Sequence, residues 1–412
     1  MYNAQTPYNP GGATPFIASP TWINVQDWGA RGDNSNDDHS AIVNAISSSQ
    51  PGDVIYFPAC NFWRTNKAVY LIHGDLQLPG GRAYIGGGGA LDRAPTIQVM
   101  SSFSSIGAIA GSLGWYATSN AAAADDPIYV FNLLFDGNAQ SGTAGSGHGL
   151  AMMNWHAIIE QVQVQNVYQD GFYLPGQMKD GIHTYSSQAS ENRLINCKAH
   201  NCGDNGFRIN DTAGSKMTDV IFQNCIVDGT GQAAPQKYAS GTYHGFFTNE
   251  SAGDYLVDCH TYGNDGDGFH ILKGWATTLD RCYIDGIGAS GTSSSATIHG
   301  IYVEVKSAST GMRGVSVSHC KIGDSGTPTY SVYGIRLIDF QGGKGYATVT
   351  GNVVSIQATG TSTQGLSYET SSNGTFYVAS VGNVIGGKYT PTTYSPHIVN
   401  GGGGTVTKFS GV

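Results

Sequence analysis

A glycine followed by a large apolar residue recurs through the later part of the chain. The copies are Gly149-Leu150, Gly171-Phe172, Gly206-Phe207, Gly245-Phe246, Gly268-Phe269, Gly300-Ile301, Gly334-Ile335 and Gly365-Leu366. Their spacings are 22, 35, 39, 23, 32, 34 and 31. Between successive copies lies a second short β-like run, such as residues 193–197 or 254–259. A unit of 22 or 23 residues cannot bury an apolar face alone, so it must stack on copies of itself. Short strands stacked in this way pair in parallel at about 4.8 Å per layer. The pattern predicts an all-β chain folded as a single parallel β-helix, with loops in the longer repeats. Leucine-rich repeats share the period but need a Leu consensus that is absent. A propeller needs hairpins at a period nearer 40–45.

The polar residues agree with that reading. Charged residues are 12% of 412, about half the usual ~25%. Glu and Lys, which line the outer face of most helices, are scarce; Asp, Asn, Ser, Thr and the 59 Gly take their place. Aromatics at 11% exclude general disorder. A net charge of −9 without a basic run argues against a nucleic-acid partner. No stretch of about 18 apolar residues is present, so no membrane is expected. The first cation is Arg31, with no apolar run before it, so no signal peptide is expected. Seven cysteines without a CxxC spacing predict no metal site. Cys197, Cys225, Cys259, Cys282 and Cys320 sit in similar local sequences and are expected as free, inward thiols.

A stack of this kind exposes strand edges at its ends. Residues 36–46 carry a possible N-cap and one apolar face, Ala41, Ile42, Ala45 and Ile46, and predict an N-terminal capping helix. The expected organisation is an N-terminal extension over 1–20, a β-helix over 21–400 with its cap and first strands in 21–60, and a C-terminal tail over 401–412. Insertions at 228–243, 286–298, 322–332 and 355–364 fall at one point of the unit, so they are expected to wall one side of a groove.

Residues 23–33 read INVQDWGARGD, followed by Asp37-Asp38, Ala41-Ile42, Ala45-Ile46 and GDVIYFPA at 52–59. This resembles the N-terminal signature of the pectate-lyase-like β-helix superfamily, which includes polygalacturonases, alginate epimerases and phage tailspikes. The resemblance implies a right-handed helix and carbohydrate chemistry. It also implies a homotrimer that is extracellular, secreted or virion-associated.

Chemistry must come from stripes of side chains, because each layer places the same register in line. Before each marker glycine stand His148, Asp170, Asn205, His244, Asp267, His299, Tyr333 and Gln364. After it, pointing outward, come Tyr173, Arg208, Phe247, His270, Tyr302 and Arg336, and two residues on Asn210, Asn249 and Glu304. The polygalacturonase pattern is Asn-Thr-Asp-Gly, Asp-Asp, Gly-His-Gly and Arg-Ile-Lys on successive layers. This chain is similar in order, with Asp170-Gly171, Asp204-Asn205, His244-Gly245 and His270 to Lys273, but has Asn for one Asp and His for the Arg.

Carboxylates on neighbouring layers suit glycosidic cleavage, which needs a protonated acid and an ionised partner. Asp170, Asp204, His244 and Asp267 are the expected catalytic residues. Tyr173, Arg208, Glu250, His270, Lys273, Tyr302 and Glu304 are expected to hold a polysaccharide or oligosaccharide, by ring stacking and hydrogen bonds. Asp211, Glu250 and Glu304 form a rival acidic face. The expected activity is hydrolysis without cofactor. The alternatives are a uronate lyase using His270 or Lys273, with Ca²⁺ on carboxylates, a fructan or glycan transferase, and a non-catalytic tailspike-like binder.

Overall fold

Each coil of the chain contributes one short strand to each of three sheets, and every strand pairs in parallel with its counterparts in the coils before and after. The computed structural model describes residues 20–409 except 64–65, 90, 102–105, 121–124, 139–145, 186–188, 211–216, 232–241, 289–296, 307–313, 325–330, 340–343, 358–362, 371–373, 388–396 and 401–404. Among the described residues the three sheets hold 13, 12 and 11 strands, and Ala189–Ser190 and Met217–Thr218 form a separate pair. The fold is the expected parallel β-helix. The expected insertions lie largely outside the described residues.

The marker glycines explain themselves by packing. In the third sheet Leu150, Phe172, Phe207, Phe246, Phe269, Ile301, Ile335 and Leu366 stand in one inward row. The Phe rings stack at 4.6, 4.8 and 4.7 Å between centroids. The glycine before each lies against an inward side chain of the second sheet and, in all but Gly365, the backbone of the next coil. A Cβ on Gly268 would lie 2.7 Å from both Gly300 O and Ile284 Cγ2. The glycine row is therefore a matter of space, not of backbone angle.

The corner between the first and second sheets is a single left-handed residue. Asn196, Asn224, Asp258, Arg281 and His319 all have φ of 52–55°, a region that Asn and Asp tolerate better than most. The residue after each corner is the buried cysteine. The thiols of Cys225, Cys259 and Cys282 donate to carbonyls of the preceding coil, Leu194, Phe222 and Leu256, at 3.2–3.5 Å. Higher in the stack Asn352 and Asn383 replace them, donating through Nδ2 to Val317 O and Val349 O. All seven cysteines are free, and only Cys60 is exposed.

Helix α1 (His39–Ser48) buries Ile42, Ala45 and Ile46 in the core beside the first coil. Asp38 occupies its N-cap position, yet its carboxylate accepts from the Arg31 and Gly32 amides at 2.6 and 3.0 Å instead of capping the helix. The expected C-terminal tail is in part structured: Thr405–Phe409 is the last strand of the first sheet, paired with Thr375–Ala379. Val406 stands opposite the buried Phe376 there and packs against the core, whereas Lys408, opposite the buried Val378, is exposed. Of the N-terminal extension, residues 1–19 lie outside the described residues. Among the described residues no helix is long and apolar enough to cross a membrane.

Two outcomes follow from this packing. Gly268→Ala should lower stability by about 1–3 kcal/mol, as overpacking does, read as a lower melting temperature. Thiol titration should find Cys60 alone reactive in the native protein and all seven after denaturation without reductant; a count of one in the denatured protein would contradict the free-thiol ladder.

Candidate active site

The outward row of the third sheet is continuous. Tyr173, Arg208, Phe247, His270, Tyr302 and Arg336 are direct partners from strand to strand. Beside it runs the row before the glycines, held by backbone bonds from each Gly amide to the residue one coil on, Gly206 to His244, Gly245 to Asp267 and Gly268 to His299. Two polar clusters form where these rows meet.

The first cluster surrounds Arg208. Its Nη1 lies 3.5 Å from Asp170 Oδ2 and 3.3 Å from Asp204 Oδ2, so one guanidinium nitrogen spans two carboxylates on adjacent coils. Asp170 is fully buried; its Oδ1 accepts from Asn205 Nδ2 at 2.8 Å. His148 Nδ1 sits 3.0 Å from Asp170 Oδ2, out of line for a hydrogen bond, with its ring stacked on Tyr173. Asp204 Oδ1 accepts from the Thr242 and Tyr243 amides at 2.7 and 3.2 Å. Burial, then the charge of Asp170, pushes the Asp204 carboxyl up to about 6. Burial also opposes ionisation of Asp170, but Arg208 and His148 outweigh it and hold that carboxyl below its usual range. Two neighbouring acids are thus driven in opposite directions, the usual signature of an acid and an ionised partner.

The second cluster surrounds Asp267, which is 2% exposed. Its Oδ2 lies 2.6 Å from His270 Nδ1, and Oδ1 accepts from the His299 amide at 2.7 Å. His299 Nδ1 faces both oxygens at 3.1 Å, and its Nε2 meets Arg336 Nη1 at 3.4 Å. A guanidinium only donates, so His299 Nε2 accepts and its proton sits on Nδ1, toward Asp267. Arg336 is itself held by a two-pronged pairing with Glu369, both at 2.8 Å. The Asp267 amide donates to His244 Nδ1 at 2.8 Å, which leaves the His244 proton on Nε2. Burial first, then neighbouring His270, presses the His244 imidazole down to about 3, so it stays neutral. Burial works against ionised Asp267, but neighbouring His299 and the hydrogen bonds from His270 and His299 hold its carboxyl well below the carboxylate range. The His270 ring is sandwiched between His244 and Tyr302, at 4.2 and 4.6 Å.

The remaining expected residues lie apart. Glu250 and Lys273 pair with each other at the ends of their strands, both on left-handed backbone. Glu304 accepts from the Tyr302 hydroxyl at 3.1 Å. Asp211 lies outside the described residues. Glu369 and Thr242 were not expected; Glu369 repeats, on a later coil, the placement of Glu304 near the outward row. Donor atoms of His244, Asp267 and His270 lie within 4.8 Å of one another. Two nitrogens and one oxygen suit a transition metal; Ca²⁺ takes oxygens.

A family profile described as Rhamnogalacturonase A/epimerase, pectate lyase-like, matches residues 22–242. The chain belongs to that family. Among solved structures it is similar to the A-modules of the Azotobacter vinelandii mannuronan C-5 epimerases AlgE4 and AlgE6, at 15% and 16% identity. These likenesses cover 95% of this chain and 99% of each module, with TM-scores of 0.56 and 0.51. The Acinetobacter phage vb_AbaP_AS12 gp42 tailspike is similar over 95% of this chain and 63% of its own, at 13% identity and a TM-score of 0.53. At these identities the likeness is one of fold. No curated protein matches the chain in sequence. The family match spans Asp170, Asp204 and Arg208 but stops before His244, so it covers the first cluster and not the second.

The raised Asp204 carboxyl carries a stability signature. The folded protein holds a proton that the unfolded chain, with an ordinary Asp near 3.9, has already released. Stability from this group is present below about 4 and lost as pH rises to about 6. Asp204→Asn should therefore melt higher than the wild type above pH 6, with the gap closing toward about pH 4. Equal pH dependence of the two melting curves would contradict it.

Proposed function

We propose that the protein hydrolyses glycosidic bonds of a polysaccharide lying along the outward row. Asp204 serves as general acid, and His270, held by Asp267, as the base that activates water. The observation that carries this reading is the opposed pair of acids at Arg208, with Asp204 pushed to about 6. An acid with such a value is partly protonated near neutrality and can give its proton to a leaving oxygen. Asp170, fully buried, acts through Asp204 and Arg208 and does not touch the sugar. Asp267 is likewise an orienting group: with its oxygens taken by His270 and His299, it keeps the His270 proton on Nδ1 and leaves Nε2 with its lone pair.

Asp204 and His270 stand two coils apart, through the Phe207, Phe246 and Phe269 partners. Two strand spacings are about 10 Å. Although Asp204 lies four residues before Arg208, the residue in register with His270, that coil spacing is nearer the roughly 6.5–9.5 Å of an inverting pair than the roughly 5–5.5 Å of a retaining one. Tyr173 and Tyr302 lie beside the two groups and offer apolar surface to sugar rings. A polymer substrate accords with an extracellular or virion-associated setting.

The test is a glycan panel with product analysis. New reducing ends of inverted anomeric configuration are expected, with rate falling as pH rises through about 6. Asp204→Asn and His270→Ala should each fold normally and lose about 10²–10⁴-fold in rate. An unsaturated, ultraviolet-absorbing product would point to elimination instead, and binding without product to a tailspike-like adhesin.

A further inference from the structure

We infer that this groove is built for an uncharged glycan and rejects polyuronates. The inference rests on the reading of the groove given above and names its substrate class. The strands of the third sheet carry three cationic side chains among the described residues: Arg208, Lys273 and Arg336. Each already has a carboxylate partner. Arg208 spans Asp170 and Asp204, Lys273 pairs with Glu250, and Arg336 gives two nitrogens to the two oxygens of Glu369. Lys179, farther toward the N-terminal coils, is taken by Asp75 at 2.8 Å.

The acids on this face outnumber the cations. Asp267 and Glu304 add to the matched set, and their partners are neutral or ring groups: His270, His299 and the Tyr302 hydroxyl. Apart from Lys306 just past a strand end, whose Nζ lies 6.0 Å from the Trp275 ring, a sugar carboxylate entering here would find a cation only by displacing a protein carboxylate from it, and would meet a surplus of like charge while doing so. The rest of the protein does not offset this, with a net charge of −9. The surface that remains for contact is aromatic: the half-buried rings of Tyr173 and Tyr302, with Phe247 buried between Arg208 and His270. That surface fits the C–H faces and hydroxyls of a neutral pyranose chain.

The test is affinity electrophoresis of the full chain at low ionic strength, in gels containing polygalacturonate, alginate or a neutral polymer such as galactomannan or dextran. The wild type is expected to migrate unretarded in both polyuronates, with or without added Ca²⁺. A Glu250→Gln, Glu369→Gln double variant frees Lys273 and Arg336. It should become retarded in both polyuronates, and added salt should abolish the effect by screening. Salt-sensitive retardation of the wild type in either polyuronate would overturn the inference, and that arm needs no variant to fold. The two readings fail separately. Retardation by a polyuronate removes the substrate class even if inverted products appear, and retardation by the neutral polymer without release of new reducing ends would remove hydrolysis alone.

Discussion

Parallel backbone pairing from coil to coil is the constraint on which the rest of the structure depends. Each strand takes its register from the one before it, so a residue type placed once at a given position is placed again about 4.8 Å away in the next coil. The inward Phe row, the cysteine row at the corners and the outward polar row are three products of that one rule. The glycine row makes it possible on the third sheet. A side chain there would collide with the second sheet and with the next coil's carbonyl, as the 2.7 Å approaches at Gly268 show. Loss of that contact would separate the second and third sheets and, with them, the two rows that build the site.

The same rule brings ionisable groups together at a density that isolated loops rarely reach. Burying charges costs free energy unless each finds a partner, and here the partners come from neighbouring coils. Arg208 spans two coils, Asp267 draws on two, and Arg336 reaches forward to Glu369. One consequence is a set of fixed proton positions. Because Arg336 can only donate, His299 must face Asp267 with its proton, and Asp267 in turn remains an acceptor for His270. A charge near one end of the row therefore decides the state of a ring two coils away.

This arrangement also separates two kinds of carboxylate that look alike in isolation. Asp170 and Asp267 are enclosed and matched, so their carboxyls are held below the usual range. Asp204, matched on one side only by a shared guanidinium and beside a like charge, is the one whose proton is exchangeable near neutral pH. The fold shared with epimerase modules and a tailspike leaves the chemistry to the site, since a fold of this kind hosts many sites.

The stacking, the glycine row, the inward cysteines and the outward row Tyr173, Arg208, Phe247, His270, Tyr302 and Arg336 were legible in the chain alone. All of them follow from a period, and a period survives in one dimension. Helix α1 was legible too, from its apolar face, but the use of Asp38 was not, because its amide partners at Arg31 and Gly32 are set by how the chain turns back before the helix. The roles of Asp170, Asp204 and Asp267 needed the fold. In the sequence they are three similar acids before or near a glycine. Only the stack decides that Asp267 meets two histidines, that Asp170 and Asp204 share one guanidinium, and that Glu369 holds Arg336. Asp204 with Arg208 and Asp267 with His270 are neighbours four and three residues apart, but the contacts of Asp267 with His299, Arg336 with Glu369 and Asp170 with Arg208 cross 32, 33 and 38 residues and depend on how far each intervening loop displaces the next marker. Charge and burial at a side chain are sums over such neighbours, so no local pattern contains them.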